Sequence, residues 1–134
     1  MITEHEIQIR VRYHECDSMG LLHHSRYLTY FEMGRLEMFR AGGGDYPEME
    51  RLGLFFVVAK AEINYKRPVR YDDLLTLRTR LVVTTAVKME HEYHLLRDGQ
   101  LLTIGKVTLA LVDKDGQLCR IPEEMQLPRE PEAK

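Results

Sequence analysis

Residues 26–40, RYLTYFEMGRLEMFR, carry apolar groups on almost every side of a helical wheel. Tyr27, Tyr30, Phe31, Gly34 and Met38 make one stripe at helical spacing, and Leu28, Met33, Leu36 and Phe39 occupy the other flanks. A helix of this kind must be enclosed by the rest of the chain. Ser25 stands where an N-cap belongs, and Gly42-Gly43-Gly44 supplies the stop.

Around this helix the sequence alternates with period two. In residues 6–13, Ile7, Ile9, Val11 and Tyr13 share one face, with Gln8, Arg10 and Arg12 on the other, which predicts a half-buried strand. Residues 54–66 read as a long strand ended by Arg67-Pro68, followed by a turn at Asp72-Asp73. Residues 74–83 place Leu75, Leu77, Thr79, Leu81 and Val83 on one face, and residues 86–97 do the same with Val87, Met89, His91, Tyr93 and Leu95. Asp98-Gly99 is a hairpin signal, residues 100–112 form a last strand, and Asp115-Gly116 is a final turn. Tight turns imply antiparallel neighbours. The expected fold is α+β, a five-stranded antiparallel sheet wrapped around one long helix. One helix cannot cover both faces, so the outer face is expected to find cover in another subunit.

The 134 residues have room for one domain. Residues 121–134 hold three of the five prolines and read as a surface tail, with one short turn at Glu123-Glu124-Met125. The chain is 44% hydrophobic and 30% charged, which excludes a disordered or fibrous protein. No apolar run approaches the roughly 20 residues that cross a bilayer, so integral membrane association is not expected. The polar N-terminus is unlike a signal or transit peptide, and the expected location is the cytoplasm. A net charge of −2 argues against nucleic-acid binding. Cys16 and Cys119 do not make a disulfide framework.

The densest cluster of reactive groups is His14-Glu15-Cys16-Asp17-Ser18-Met19-Gly20-Leu21-Leu22-His23-His24-Ser25, between the first strand and the helix. The first N–H groups of a helix lack intrahelical partners and carry partial positive charge. They can hold an oxygen that becomes negative, while the Asp17 carboxylate acts as base or nucleophile. The competing reading is that Asp17 caps its loop or pairs with a cation. Cys16 should point away from Asp17 and be inert. His91-Glu92-Tyr93-His94 lacks zinc-helix spacing and its two histidines face apart on a strand, so no metal site is expected. Gly42-Gly43-Gly44 lacks the context of a phosphate loop. Glu32 is expected to pair with a buried partner such as Arg35. Lys60, Lys66, Arg67 and Arg70 make a basic stretch, otherwise read as a solvated strand end.

The stretch from Tyr13 to Glu32, YHECDSMGLLHHSRYLTYFE, resembles the hotdog-fold acyl-CoA thioesterases, nearest to the branch of 4-hydroxybenzoyl-CoA thioesterase and the Tol–Pal-associated thioesterases. Asn64-Tyr65-Lys66-Arg67-Pro68-Val69-Arg70-Tyr71-Asp72-Asp73-Leu74 resembles a second signature of that family. The resemblance implies a hotdog fold over about residues 5–120 and hydrolysis of an acyl-CoA to free acid and coenzyme A, with no metal or redox cofactor. It implies that Asp17 is the catalytic carboxylate, that the His24 N–H polarises the thioester carbonyl, and that the His24 side chain orients substrate or water. Gly20 would let the loop turn. His23 and Arg26 depart from the family pattern beside Tyr27, where the acyl group is expected, and Lys66 and Arg67 would face the coenzyme A phosphates. The family assembles as homodimers or homotetramers with the site at the interface. The alternatives are an acyl-CoA-binding hotdog module without turnover, and a hotdog hydratase or dehydratase.

Overall fold

Each alternating stretch forms a strand in the computed structural model, which describes residues 1–128. In chain order these are β1 (Glu4–Arg10), α1 (Tyr27–Ala41), α2 (Tyr46–Arg51), β2 (Leu54–Tyr65), β3 (Leu74–Thr84), β4 (Lys88–Arg97) and β5 (Gln100–Asp113). Short 3-10 turns occupy Tyr13–Glu15, His24–Arg26 and Glu123–Met125. The strands form one sheet in the order β1-β3-β4-β5-β2, with every neighbouring pair antiparallel. This is the hotdog arrangement: one sheet curled along one long helix. Asp98 and Gly99 both take positive φ, 49° and 77°, giving the two-residue hairpin expected between β4 and β5.

The buried sheet face is the one the alternation marks. Leu75, Leu77 and Thr79 on β3 and Tyr93 and Leu95 on β4 are fully buried against α1. Two glycines set how close the helix comes. A Cβ on Gly34 of α1 would lie 2.5 Å from Thr79 Oγ1 and 2.7 Å from Leu77 Cδ2. A Cβ on Gly105 of β5 would lie 2.3 Å from Phe31 Cε2. The Phe31 ring fills that space and stacks on Tyr93, with centroids 4.6 Å apart and 15° between planes.

Several expectations are corrected. The first strand ends at Arg10, and Tyr13 lies in a turn, 80% exposed, because Glu15 recaptures the Arg12 N–H and breaks the alternation. The helix is enclosed on one stripe only; Leu28 and Met33 are 42% and 41% exposed. Helix α2 was unexpected: Asp45 caps it by accepting the Glu48 N–H, and Pro47 sits in its first turn. Glu32 is exposed and makes no ion pair with Arg35 among the described residues; Glu37 pairs with Arg40 instead. The surface tail does not begin at residue 121. Ile121 is fully buried and donates to Ala86, and the Leu127 N–H donates to Thr84 Oγ1. The rest of the expected tail, 129–134, lies outside the described residues.

The outer face is less apolar than the cover argument requires, since it carries the Arg78–Glu6 and His94–Glu92 pairs, both at 2.8 Å. Exposed apolar surface concentrates on the edge strand β2, at Phe55, Val57, Val58 and Tyr65.

If the Phe31–Gly105 contact sets the helix height, Gly105→Ala should destabilise the fold by about 1–3 kcal/mol through overpacking. Thermal unfolding followed by circular dichroism should show a midpoint lower by a few degrees. An unchanged midpoint would mean the ring moves aside at no cost.

Candidate active site

The segment between β1 and α1 is shaped by backbone pairing around one carboxylate. Asp17 donates its N–H to Leu21 O at 2.8 Å, and Gly20 donates to Asp17 O at 3.0 Å. Gly20 closes this turn at φ 77°, a conformation that favours glycine. The Asp17 side chain then folds back: Oδ1 accepts from the Met19 N–H at 2.8 Å and the Leu21 N–H at 3.2 Å. No donor to Oδ2 is found among the described residues, and the residue is exposed. The loop-capping alternative is therefore real but uses one oxygen only.

The turn is tied to the helix by Glu15. Its Oε1 accepts the Arg12 N–H and the Tyr30 hydroxyl, both at 2.7 Å. Tyr30 is 1% exposed, and burial, with the bond to Glu15 next, pushes its phenol pKa well up. The sequence reading puts Glu15 in the reactive cluster and Tyr30 on the buried stripe but does not pair them. The signals were present: Glu15 stands three residues after Arg12, as in a capping box, and a buried tyrosine needs a partner for its hydroxyl.

At the helix entrance the expected Ser25 cap is replaced by His23. The ring Nδ1 of His23 accepts the Ser25 N–H at 3.1 Å and lies 2.8 Å from Ser25 Oγ. The His24 ring lies on the His23 ring, centroids 4.1 Å apart. The His24 N–H opens the first turn and has no backbone acceptor among the described residues. Arg26 is half-buried beside it. Tyr27, the first residue of α1, is 4% exposed and meets the Tyr65 ring edge-on at 4.9 Å.

The β2–β3 connection docks on the same turn. Leu22 donates to Val69 O at 2.7 Å and Tyr71 to Gly20 O at 2.9 Å. The N–H groups of Lys66 and Arg67 both donate to Leu102 O, at 2.9 and 3.0 Å, leaving two exposed side chains directly after Tyr65. Asp17, Gly20, His23, His24, Arg26 and Tyr27 thus form one neighbourhood, which Lys66 and Arg67 adjoin through the Tyr65–Tyr27 contact. Lys60 is taken up by Glu62 at 2.9 Å.

Cys16 is unsuited to nucleophilic attack. Burial first, then Glu15, Asp17 and Asp73, raise its thiol pKa, which suppresses the thiolate. Among the described residues no group of three His, Cys, Asp or Glu side chains could hold a metal ion.

The chain is similar to known thioesterases. The acyl-CoA thioesterase YbgC of Haemophilus influenzae is 32% identical over 106 residues, 78% of this chain and 78% of its own. A DHNA-CoA thioesterase from Staphylococcus aureus superposes with a TM-score of 0.85 at 28% identity, over 87% of this chain and 80% of that one. A 1,4-dihydroxy-2-naphthoyl-CoA thioesterase from Synechocystis reaches a TM-score of 0.83 over 90% of both chains, and at 13% identity it bears on the fold alone. The family model described as the thioesterase-like superfamily matches residues 11–127. With that match taking in the Asp17 turn, α1 and strands β2 to β5, the chain belongs to the thioesterase-like superfamily.

Proposed function

We propose that this chain hydrolyses an acyl-CoA thioester to a free acid and coenzyme A at the junction between Asp17 and the start of α1. The observation that carries this reading is a carboxylate with one oxygen pinned by two backbone N–H groups and the other open among the described residues, in the turn that leads into a helix entrance whose first N–H has no backbone acceptor among them, in a chain of the thioesterase-like superfamily. The H. influenzae and S. aureus relatives, both named as thioesterases of acyl-CoA compounds, support it.

In this mechanism water attacks the thioester carbonyl carbon while Asp17 Oδ2 takes its proton, or Asp17 attacks and water then releases the acyl group. The carbonyl oxygen becomes negative and is received by the His24 N–H, a preorganised donor at the positive end of the helix. The carbon–sulfur bond then breaks: with water as nucleophile the departing sulfur takes the proton held by Asp17, and with Asp17 as nucleophile it leaves as a thiolate, taking its proton when water hydrolyses the acyl–Asp17 anhydride. Gly20 keeps the turn tight, the His24 ring orients substrate or water, and His23, Arg26 and Tyr27 border the acyl group. Lys66 and Arg67 meet the phosphates at the far end of the substrate. The reading needs no metal or redox cofactor, and its setting is the cytoplasm, which two unpaired cysteines favour.

The reading also includes assembly. Strand β2 is a 12-residue edge, apolar and exposed at Phe55, Val57 and Val58, and monomers rarely leave such an edge bare. A homodimer paired along β2, or a homotetramer of two dimers, covers it and brings a second chain toward the exposed Asp17.

Three measurements test this. Asp17→Asn keeps the size of the side chain and removes its basicity, so the turnover number with a panel of acyl-CoAs should fall by roughly 10²–10⁴-fold with little change in melting temperature. Thiol release by the wild type separates hydrolysis from both a silent binding module and a hydratase; near-wild-type turnover in Asp17→Asn removes this residue from the chemistry. Lys66→Ala and Arg67→Ala should raise the Michaelis constant, leave the turnover number nearly unchanged and blunt the salt dependence, because the contact is to a non-reacting group. Identical constants in wild type and variants would put the phosphates elsewhere. Light scattering at micromolar concentration should return at least twice the chain mass; a monomer would rule out a shared site.

A further inference from the structure

One cavity among the described residues lies away from Asp17. It has a volume of about 570 Å³ and lies between the C-terminal half of α1, the Gly42–Gly44 loop, α2 and the sheet. Ligand cavities commonly span roughly 300–1,000 Å³. Met38, Phe56, Leu81, Met89 and Leu109 supply mostly apolar walls. Two side chains there each carry a buried polar atom without a partner among the described residues. Arg35 presents an Nε shut off from solvent with no acceptor among the described residues. His91, 3% exposed, presents an Nδ1 likewise without a partner.

The cavity is not an extension of the Asp17 junction. Neither Asp17, His24 nor Tyr27 lines it. Between the two regions the helix is pressed onto the sheet, with Phe31 stacked on Tyr93 over Gly105 and Gly34 set against Leu77 and Thr79. An acyl chain entering at the helix N-terminus meets that packed layer before it reaches Arg35.

We infer that this cavity is a separate binding site for an aliphatic carboxylate of medium chain length, its carboxylate held by the Arg35 guanidinium with His91 beside it and its chain among the apolar walls. The chemistry of the walls selects this class. A guanidinium is a permanent cation whose Nε edge accepts a carboxylate through two parallel hydrogen bonds, and here the Nε–H is vacant. A buried, unpaired donor of a charged group costs far more than a bonded one, so an acceptor arriving there is strongly favoured. His91 is neutral; burial first, and Arg35 second, lower its pKa to about 3. His91 thus adds no charge, and Arg35 is the cation that lines the cavity among the described residues. The exposed Glu124 on the cavity wall, and Glu32 near Tyr46 and Tyr93, add negative charge that disfavours a doubly charged phosphate. The exposed residues Gly42 and Gly43 line the cavity, so it reaches the surface.

Isothermal titration of the 134-residue chain with decanoate, and with 1-decanol as the uncharged probe of equal length, tests this. One decanoate per chain is expected, bound at least tenfold more tightly than the alcohol; equal affinities, or no binding, overturn the site. Arg35→Gln should weaken decanoate at least tenfold while leaving decanol binding as it was, and an unaltered decanoate affinity overturns the role of the guanidinium. Decanol titration of the wild type and the variant also reports whether the cavity survives the substitution. Asp17→Asn should bind decanoate as the wild type does. Loss of binding in Asp17→Asn would assign the carboxylate to the Asp17 junction and overturn the separate site, whereas failure of the hydrolysis proposal alone leaves these titrations unchanged.

Discussion

The close seating of α1 on the sheet is the constraint on which the rest of the molecule depends. It exists because two positions lack a side chain where helix and strand would collide, Gly34 against Thr79 and Leu77, and Gly105 beneath Phe31. Interiors this dense transmit displacement rather than absorb it. Raising the helix by the width of a methyl group would carry Tyr30 with it, and Tyr30 holds Glu15, which in turn holds the turn bearing Asp17. The height of a helix over a sheet thus determines where a carboxylate stands at the far end of a loop. Reactions that depend on alignment are sensitive to shifts of about an ångström.

The same seating divides the space under the helix. Phe31 and Tyr93 fill the middle, so the N-terminal end is a solvent-facing junction of polar groups while the C-terminal end holds a largely apolar cavity. A sheet curled around a single helix can host two chemically different environments without a second domain.

Much of this was legible from period and turn chemistry. The inward faces were read correctly from Leu75 to Leu81 on β3 and from Met89 to Leu95 on β4, because period-two alternation survives wherever a strand has one wet and one dry side; at Val83, 46% exposed, a register shift after Leu81 ends it. The Asp98-Gly99 hairpin was legible because few other dipeptides accept two positive φ angles. The Asp17 cluster stood out because reactive side chains crowd a strand-to-helix junction. The misses share a cause: they depend on contacts between distant residues. Helix α2 is six residues long, too short for a period to show, and only its Asp45-Tyr46-Pro47 start marks it. Ile121 sits among prolines and charges yet is fully buried, because its N–H finds Ala86 across the fold. Arg35 and Glu32 have the spacing of a helical pair, but the tertiary packing turns Arg35 into the cavity and leaves Glu32 outside.

The cap made by His23 has one further consequence. A backbone N–H can only donate, so the ring nitrogen that receives Ser25 carries a lone pair, and the neutral imidazole must keep its hydrogen on Nε2. The ring therefore turns a hydrogen, not a lone pair, toward whatever approaches the helix entrance. While the cap holds, the Nδ1 lone pair of His23 is engaged with the Ser25 N–H, whereas Asp17 keeps one carboxylate oxygen without a donor among the described residues.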